Sequence, residues 1–280
     1  MAVRVAYPGR EGAHSAAACD RLFPNNEAEL IPLPNFSAVT EAVAGNEVDF
    51  GVLPIESSLA GPVAETHDLL YDSPLSIVAQ TVIPIHHCLI GTKQVPLEEI
   101  KVVHSRPIAF DQCRQFLATI PWATAVANAT TVGAAQEIAE KGDPSEVAIA
   151  SERAAHSLGL EILARDLGDH PEAFTRFVSL ATYTRLDCDG EDWRLAFSFV
   201  TDHRPGALFR ALEPFYRHGV DLVQLVSRPI PHAPWRYRFD AVLAGFPLDP
   251  IVSETLEEMC TLTRELRVFG SYPAHVDPIE

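Results

Sequence analysis

Short apolar runs alternate with helical stretches through the first two thirds of the chain, and this alternation limits the fold more than any other feature. The apolar runs occupy residues 3–7, 48–53, 77–83, 101–104, 124–127 and 147–150. Strands that alternate with helices predict an open α/β sheet. In such sheets a ligand binds beyond the carboxyl ends of the strands. Several predicted strand ends carry Gly, Ser, Glu or Arg, which suits an anionic ligand near free helix N-termini.

Capping residues predict where several helices begin and end. A helix that begins after Thr130 or Thr131 is expected to end at Gly142, because Thr caps an N-terminus and Gly closes a C-terminus. Ser151 is expected to cap a helix that ends at Gly159. Two further helices are predicted over residues 13–22 and 108–117.

The sequence pattern changes near Thr184. Residues 187–192 are polar and acidic, which predicts a linker. The predicted order after it is strand, helix, strand, strand, helix, strand, which is a ferredoxin-like unit. These elements are predicted over residues 195–201, 207–218, 222–226, 237–244, 250–262 and 266–272. We therefore expect two domains.

Charge and hydropathy exclude several classes of protein. The formal net charge is −17, and such a surface repels nucleic acid, so an anionic substrate has to meet a local cationic site. No apolar run approaches the roughly 20 residues of a membrane helix, and the N-terminus has no signal-peptide pattern. Five scattered cysteines without a CxxC pair predict a reducing, cytoplasmic location. The adjacent His86 and His87 lack spaced metal-ligand partners, and we expect no metal site.

Three short segments stand out in the first domain: the first is a predicted strand with the polar loop after it, the second follows a predicted strand, and the third follows a probable loop over residues 169–174. They are residues 51–58 (Gly-Val-Leu-Pro-Ile-Glu-Ser-Ser), Ser105-Arg106-Pro107 before Asp111-Gln112-Cys113, and Thr175-Arg176-Phe177. In this order they resemble the signature of the prephenate dehydratase family. The second domain carries Gly206-Ala207-Leu208-Phe209 and Ser227-Arg228-Pro229, which resemble the two phenylalanine-contacting motifs of the regulatory ACT domain in these enzymes. The resemblance runs from about residue 3 to about residue 272.

The resemblance implies a catalytic region over residues 1–184, followed by an ACT domain over residues 193–273. The catalytic region would resemble periplasmic binding proteins, with two α/β lobes joined by crossover strands and the active site in the cleft. One lobe would comprise residues 1–80 plus 165–184, and the other residues 81–164. The implied reaction converts prephenate into phenylpyruvate, CO2 and water without a cofactor. Phenylalanine would be the effector of a homodimer or homotetramer, and neither nucleic acid nor a membrane is an expected partner.

The resemblance also implies roles for the motif residues. Thr175 would donate a hydrogen bond or proton to the leaving hydroxyl, Arg176 would bind a carboxylate through its planar guanidinium, and Glu56 would orient a hydroxyl. The other implied catalytic or substrate-binding residues are Ser57, Ser58, Ser105, Arg106, Gln112 and Phe177. The implied effector contacts are Gly206, Ala207, Leu208, Ser227, Arg228 and Pro229.

Several of these assignments have a structural alternative. Thr175 could cap a turn, Arg176 could form a salt bridge with Glu56, and Ser105 could cap the helix that follows it. Phe177 could belong to the core rather than to the wall of the site. The second domain could serve dimerisation alone.

Three positions depart from the family pattern. The family usually has Asn at the position of Ser57, Asn at the position of Ala173, and Glu at the position of Val226. Ser57 could still bond through a water, whereas Ala173 cannot replace a side-chain hydrogen bond. Three alternatives therefore stay open: an arogenate dehydratase, a prephenate decarboxylase whose product is not aromatic, and a non-catalytic amino-acid-binding regulator.

Overall fold

Three β-sheets with helices packed on them organise the chain in the computed structural model. The structure describes residues 2–24, 28–186, 192–231 and 233–274. The predicted mixed α/β fold is confirmed. No helix in these ranges has the length and apolar character needed to cross a membrane. The predicted linker lies outside the described residues, apart from Asp192.

The first lobe is a six-stranded sheet with helices on both faces. Its first elements are β1 (Val3–Pro8), α1 (His14–Leu22), β2 (Ala28–Leu33), α2 (Phe36–Ala44), β3 (Phe50–Ser57), the short β4 (Gly61–Pro62), α3 (Ala64–Asp72) and β5 (Ser76–Pro84). Val5 and Val52 pack under Ala16 of α1, whereas Leu53 packs on the opposite face with Val39 of α2. Burial of both faces explains why these strands are continuous apolar runs.

The second lobe is a five-stranded sheet in the order β10-β6-β9-β7-β8. Its elements are β6 (Cys88–Gly91), β7 (Val102–Ser105), α4 (Pro107–Gln112), α5 (Arg114–Leu117), β8 (Thr124–Ala127), α6 (Thr131–Lys141), β9 (Glu146–Ala150), α7 (Glu152–Leu158) and β10 (Glu161–Ala164). Helices α6 and α7 cover one face, where Ile138 packs on Ile90. Helices α4 and α5 cover the other, where Ala109 packs beside Ile149.

The chain returns to the first lobe as β11 (Phe174–Ala181), which lies between β3 and β5 and is antiparallel to both. Two connections therefore cross between the lobes, one after β5 and one before β11. They are bonded to each other, since Ile85 N–H donates to Ala173 O at 2.8 Å and Leu167 N–H donates to His87 O at 3.0 Å. The paired crossover, here called the hinge, joins the two lobes.

The C-terminal unit is a four-stranded antiparallel sheet in the order β13-β14-β12-β15. Its elements are β12 (Trp193–Val200), α8 (Ala207–His218), β13 (Leu222–Pro229), β14 (Tyr237–Ala244), α9 (Pro250–Leu262) and β15 (Glu265–Pro273). On one face Phe197 packs with Phe215 of α8. On the other, Val242 and Tyr272 join a cluster that contains Ile55 of the first lobe. The C-terminal sheet is therefore packed directly on the first lobe.

Predicted capping residues agree with the structure. The hydroxyls of Thr130 and Ser151 accept backbone N–H groups of their own helices at 2.9 and 3.1 Å. Gly142 and Gly159 end these helices in the left-handed conformation. Each of these signals acts within one turn of the chain, which is why the sequence alone locates it.

The helix predicted over residues 108–117 is interrupted at Cys113. The cause is Asp169 from the crossover before β11, whose carboxylate accepts the N–H groups of Arg114 and Gln115 at 3.0 and 2.9 Å and so begins a new helix. Six elements were not predicted from the sequence: β2, α2, β4, α3, β6 and β10.

Candidate active site

Polar strand ends from both lobes border the hinge. Strands β3 and β5 end beside the start of β11, and β9 ends where Ala150 lies opposite Cys88, just after the hinge. The carboxyl edges of the two sheets therefore lie beside the hinge, and such edges are the usual place for a ligand in open α/β sheets. Ser57, Ser105 and Thr175 all lie at these edges.

Thr175 and the Ser57-Ser58 pair come together on the first-lobe edge. Thr175 is opposite Ser57 in the register of β11 and β3. Ser58 ties the loop to the same strand, because its N–H donates to Phe174 O and its hydroxyl accepts from Phe174 N–H, both at 2.9 Å. Paired residues of antiparallel strands project to the same face, so the Thr175 and Ser57 hydroxyls share one face of the sheet.

The Ser57 hydroxyl also shapes the turn after β3. It accepts the N–H groups of Leu59 and Ala60 at 3.3 and 3.2 Å. Its proton is then left to donate to a ligand or a neighbouring hydroxyl. Thr175 lies inside β11 rather than in a turn, so the alternative role of a turn cap does not apply to it.

The loop between β1 and α1 brings the two lobes into contact. Gly12 has a φ of +90°, and a Cβ at this position would lie 2.8 Å from Ala154 Cα in α7. The Ser151 hydroxyl donates to Gly12 O at 2.8 Å. Only glycine allows both the backbone conformation and the close approach.

The N-terminus of α1 lies at this edge of the first sheet. His14 is its first residue, and no side chain caps the helix. Burial lowers the pKa of His14 to about 4, and the neighbouring His87 and His86 add to the effect. His14 is therefore neutral at pH 7 and is not a cation of this edge.

The second-lobe edge holds Ser105 and Arg106. The Ser105 hydroxyl is buried and donates to Ile149 O at 2.7 Å, which ties the end of β7 to β9. Ser105 does not cap α4, whose N-cap residue is Arg106 with an exposed side chain. Arg106 is therefore the cation that this edge offers at the start of a helix.

Gln112 contacts the hinge. Its Oε1 accepts from His87 Nε2–H at 2.8 Å. Burial lowers the pKa of His87, although the bond to Gln112 acts in the opposite direction. Gln112 thus fixes the orientation of a buried, neutral imidazole next to His86.

Arg176 and Glu56 lie on the opposite side of the first sheet from Thr175. Their side chains approach to 3.7 Å, between Arg176 Nε and Glu56 Oε2, so the alternative of a salt bridge is realised. Glu56 Oε1 also accepts from Gln224 Nε2–H of the C-terminal unit at 2.9 Å. Because neighbouring residues of a strand point to opposite faces, Arg176 cannot share the face of Thr175. The predicted contact of Arg176 with substrate beside Thr175 is thus not supported.

Phe177 belongs to the core. Its ring is 2% exposed and packs in the cluster of Val5, Tyr7 and Ile83. Almost no surface of the ring is left to contact a substrate. The predicted substrate contact is therefore replaced by a packing role, because the side chain follows the strand alternation into the lobe interior.

The predicted effector motifs are divided between two faces of the C-terminal sheet. Gly206, with a φ of +76°, precedes α8, and Ser227 lies opposite Phe239 on the helix-covered face. Arg228 points to the other face, where its Nη2 donates to Asp68 of α3 at 2.6 Å. Within one chain the Arg228 side chain and Gly206 therefore lie on opposite faces of the sheet, and the effector contact of Arg228 stays a prediction.

Three side chains at these contacts were not predicted as site residues: His14, His87 and Gln224. His14 could have been found from its place after the first predicted strand, where open sheets bind ligands. His87 is half of the pair that the sequence excludes as a metal site. Gln224 has no local signal, because its partner Glu56 is 168 residues away.

A family model described as prephenate dehydratase matches residues 5–185 of the chain. The chain is 34% identical to arogenate dehydratase/prephenate dehydratase 2, chloroplastic, of Arabidopsis thaliana, over 97% of this chain and 73% of that protein.

Two solved structures resemble the whole chain. The prephenate dehydratase of Arthrobacter aurescens in complex with L-Phe has a TM-score of 0.89 and 29% identity, covering 99% of this chain and 94% of that one. A structure described as GqqA, a novel type of quorum quenching acylases, has a TM-score of 0.88 and 30% identity, covering 97% of this chain and 98% of that one.

Proposed function

The chain belongs to the prephenate dehydratase family, whose members are hydro-lyases, and on this premise we propose that it converts prephenate into phenylpyruvate, CO2 and water. The observation that carries the proposal is the pairing of Thr175 with Ser57 at the edge of the first sheet, beside the hinge. Two hydroxyls on one face of a sheet can act together on one leaving group.

The reaction needs one proton and a fixed substrate. The bond to CO2 breaks, its electron pair forms a ring double bond, and the ring bond to the hydroxyl breaks. The hydroxyl takes up a proton and leaves as water, and the ring becomes aromatic. Thr175 supplies the hydrogen bond or proton, and Ser57 supports it, because a lone threonine hydroxyl is a poor acid. A positioned proton donor contributes about 10²–10⁴-fold.

The two carboxylates of the substrate need donors on both edges. Arg106 supplies a permanent cation from the second lobe. The uncapped N-terminus of α1 supplies backbone N–H groups from the first lobe, and neutral His14 adds a side-chain donor.

Arg106→Leu is expected to raise KM for prephenate by roughly tenfold or more, because a charge-assisted bond to a carboxylate is lost. The value of kcat should change less, since the carboxylate is bound in both the ground state and the transition state. Steady-state kinetics check this, with Arg114→Leu as the matched control because its exposed side chain forms an ion pair with Asp111. An unchanged KM would remove Arg106 from the substrate site.

We also propose that residues 1–184 form a two-lobed catalytic region like that of periplasmic binding proteins, and that residues 193–273 form an ACT domain that binds phenylalanine. The αL residue Gly206 lets backbone N–H groups of residues 206–208 approach an effector carboxylate, and Ser227 and Pro229 complete the proposed contacts. Strand β13 is an edge strand with Val223 43% exposed and Leu225 38% exposed, which suits pairing with a second copy.

Formation of phenylpyruvate from prephenate, followed by absorbance in base, tests the function. We expect turnover that phenylalanine slows, and light scattering should show a dimer or tetramer. If the protein forms phenylalanine from arogenate and no phenylpyruvate from prephenate, it is an arogenate dehydratase. Prephenate consumed without an aromatic product would identify a non-aromatising decarboxylase. Phenylalanine binding without turnover would identify a regulator, and release of acid from an N-acyl compound would identify an acylase.

A further inference from the structure

The C-terminal sheet contacts the chain on both sides of the loop over residues 57–63, which carries the two site serines. Before the loop, Glu56 Oε1 accepts from Gln224 Nε2–H at 2.9 Å. After the loop, the carboxylate of Asp68 in α3 accepts from Arg228 Nη2 at 2.6 Å and from Arg228 Nε at 3.3 Å. Within the first lobe this segment is also held by the pairing of β3 with β4, and the C-terminal unit adds one contact before it and one after it, in α3.

Both contacts come from one face of β13. Gln224 and Arg228 are half-buried, whereas Leu225, Ser227 and Pro229 between or after them are exposed. Gln224 lies opposite Val242, which packs on the first lobe. One strand therefore presents the loop contacts on one face and Ser227 on the other.

A buried charge cluster fixes the contact after the loop. Arg238 is fully buried and donates to Asp68 Oδ1 at 2.8 Å and to Asp240 Oδ1 at 3.2 Å. His67 Nδ1 lies 3.0 Å from Asp240 Oδ2. Partial burial raises the pKa of Asp68, but the bonds from Arg228 and Arg238 outweigh it and keep the pKa below its ordinary value. Unpairing any buried charge here is costly, so the cluster favours one geometry.

We infer that Gln224 and Arg228 are positioning residues of the reaction: they fix the loop over residues 57–63, and with it the Ser57 hydroxyl beside Thr175. The kinetic part of this inference rests on the proposed function. Gln224 acts through Glu56, which also lies beside Arg176. A shift of β13 moves both contacts together, which links the effector face of the strand to the site.

Gln224→Leu tests the contact before the loop, because leucine keeps the size and removes the donor. We expect kcat to fall roughly tenfold, the effect of losing one hydrogen bond to a carboxylate, and KM to stay within about twofold. Hydrogen exchange measured on the peptide that contains residues 57–63 should become faster. Gln94→Leu is the matched control, since Gln94 Nε2 makes a single bond of 3.0 Å to Ile162 O on the second lobe.

Arg228→Leu tests the contact after the loop. It should speed exchange of the same peptide and weaken the inhibition by saturating phenylalanine, because β13 is released from α3. Arg217→Leu is its control, since Arg217 pairs with Glu258 within the C-terminal unit.

The outcomes separate the inference from the proposed function. If Gln224→Leu changes neither kcat nor the exchange of residues 57–63, the inference is wrong. If the wild-type protein does not turn over prephenate, the proposed function fails, and the exchange rates alone decide whether β13 holds the loop. Equal loss of kcat in Gln94→Leu would also contradict a specific role for Gln224.

Discussion

Thr175→Val is expected to lower kcat for phenylpyruvate formation by about a hundredfold or more. Valine keeps the β-branched shape that suits strand β11 and removes only the hydroxyl. The loss therefore reports the proton or hydrogen bond delivered to the leaving group. Steady-state kinetics, together with a thermal melt that shows an unchanged Tm, check the prediction.

Two variants make the result specific. Thr175→Ser keeps the hydroxyl and should keep most of the activity. Thr184→Val should turn over like the wild type, because Thr184 is exposed just beyond the other end of β11, where its hydroxyl lies 3.1 Å from the Ser76 hydroxyl. Near-normal turnover in Thr175→Val would remove Thr175 from the mechanism.

Gly270→Ala is expected to have the largest effect on stability. Gly270 has a φ of +137°, and a Cβ there would lie 2.3 Å from Ile77 O and 2.7 Å from Ile77 N. Both clashing atoms are backbone, so β15 and β5 have to separate. Left-handed strain of about 1–2 kcal/mol and overpacking of about 1–3 kcal/mol predict a loss near 3 kcal/mol. Calorimetry should show a Tm that is lower by about 6–12 °C.

Gly219→Ala measures the effect of backbone strain alone, without the steric clash expected in Gly270→Ala. Gly219 has a φ of +69°, and a Cβ there would meet no heavy atom within 4 Å. This variant should therefore lose only the left-handed strain of about 1–2 kcal/mol. Equal melting of the two variants would mean that the two sheets tolerate a methyl group between them.

The sequence predicted those features that depend on contacts between residues close together in the chain. Thr130 and Ser151 were found because a cap bonds within its own turn. The order of the C-terminal elements followed from hydrophobic periodicity and turn residues. Thr175 and Ser57 were found from motif order, and the structure places them opposite each other.

The features that the sequence did not predict depend on contacts between residues far apart in the chain. Strand alternation separates Arg176 from Thr175, but only the packing of the C-terminal sheet shows that Arg176 and Glu56 meet Gln224. Arg228 was assigned together with Ser227 as one motif, although neighbours in a strand point apart and Asp68 is 160 residues away. Where a strand contacts both its own unit and another one, closeness in sequence does not predict which side chains share a site.

The position of β11 inside the first sheet sets the order in which the two lobes can form on the ribosome. The second lobe is continuous in sequence from β6 to β10, so all of its strands emerge before β11 does. The first sheet cannot close until β11 enters between β3 and β5. The second lobe can therefore complete its sheet first, and nascent β3 and β5 each wait with an unpaired edge that needs protection from other chains. Thr175 arrives with β11, so no nascent chain that lacks this strand carries an assembled site.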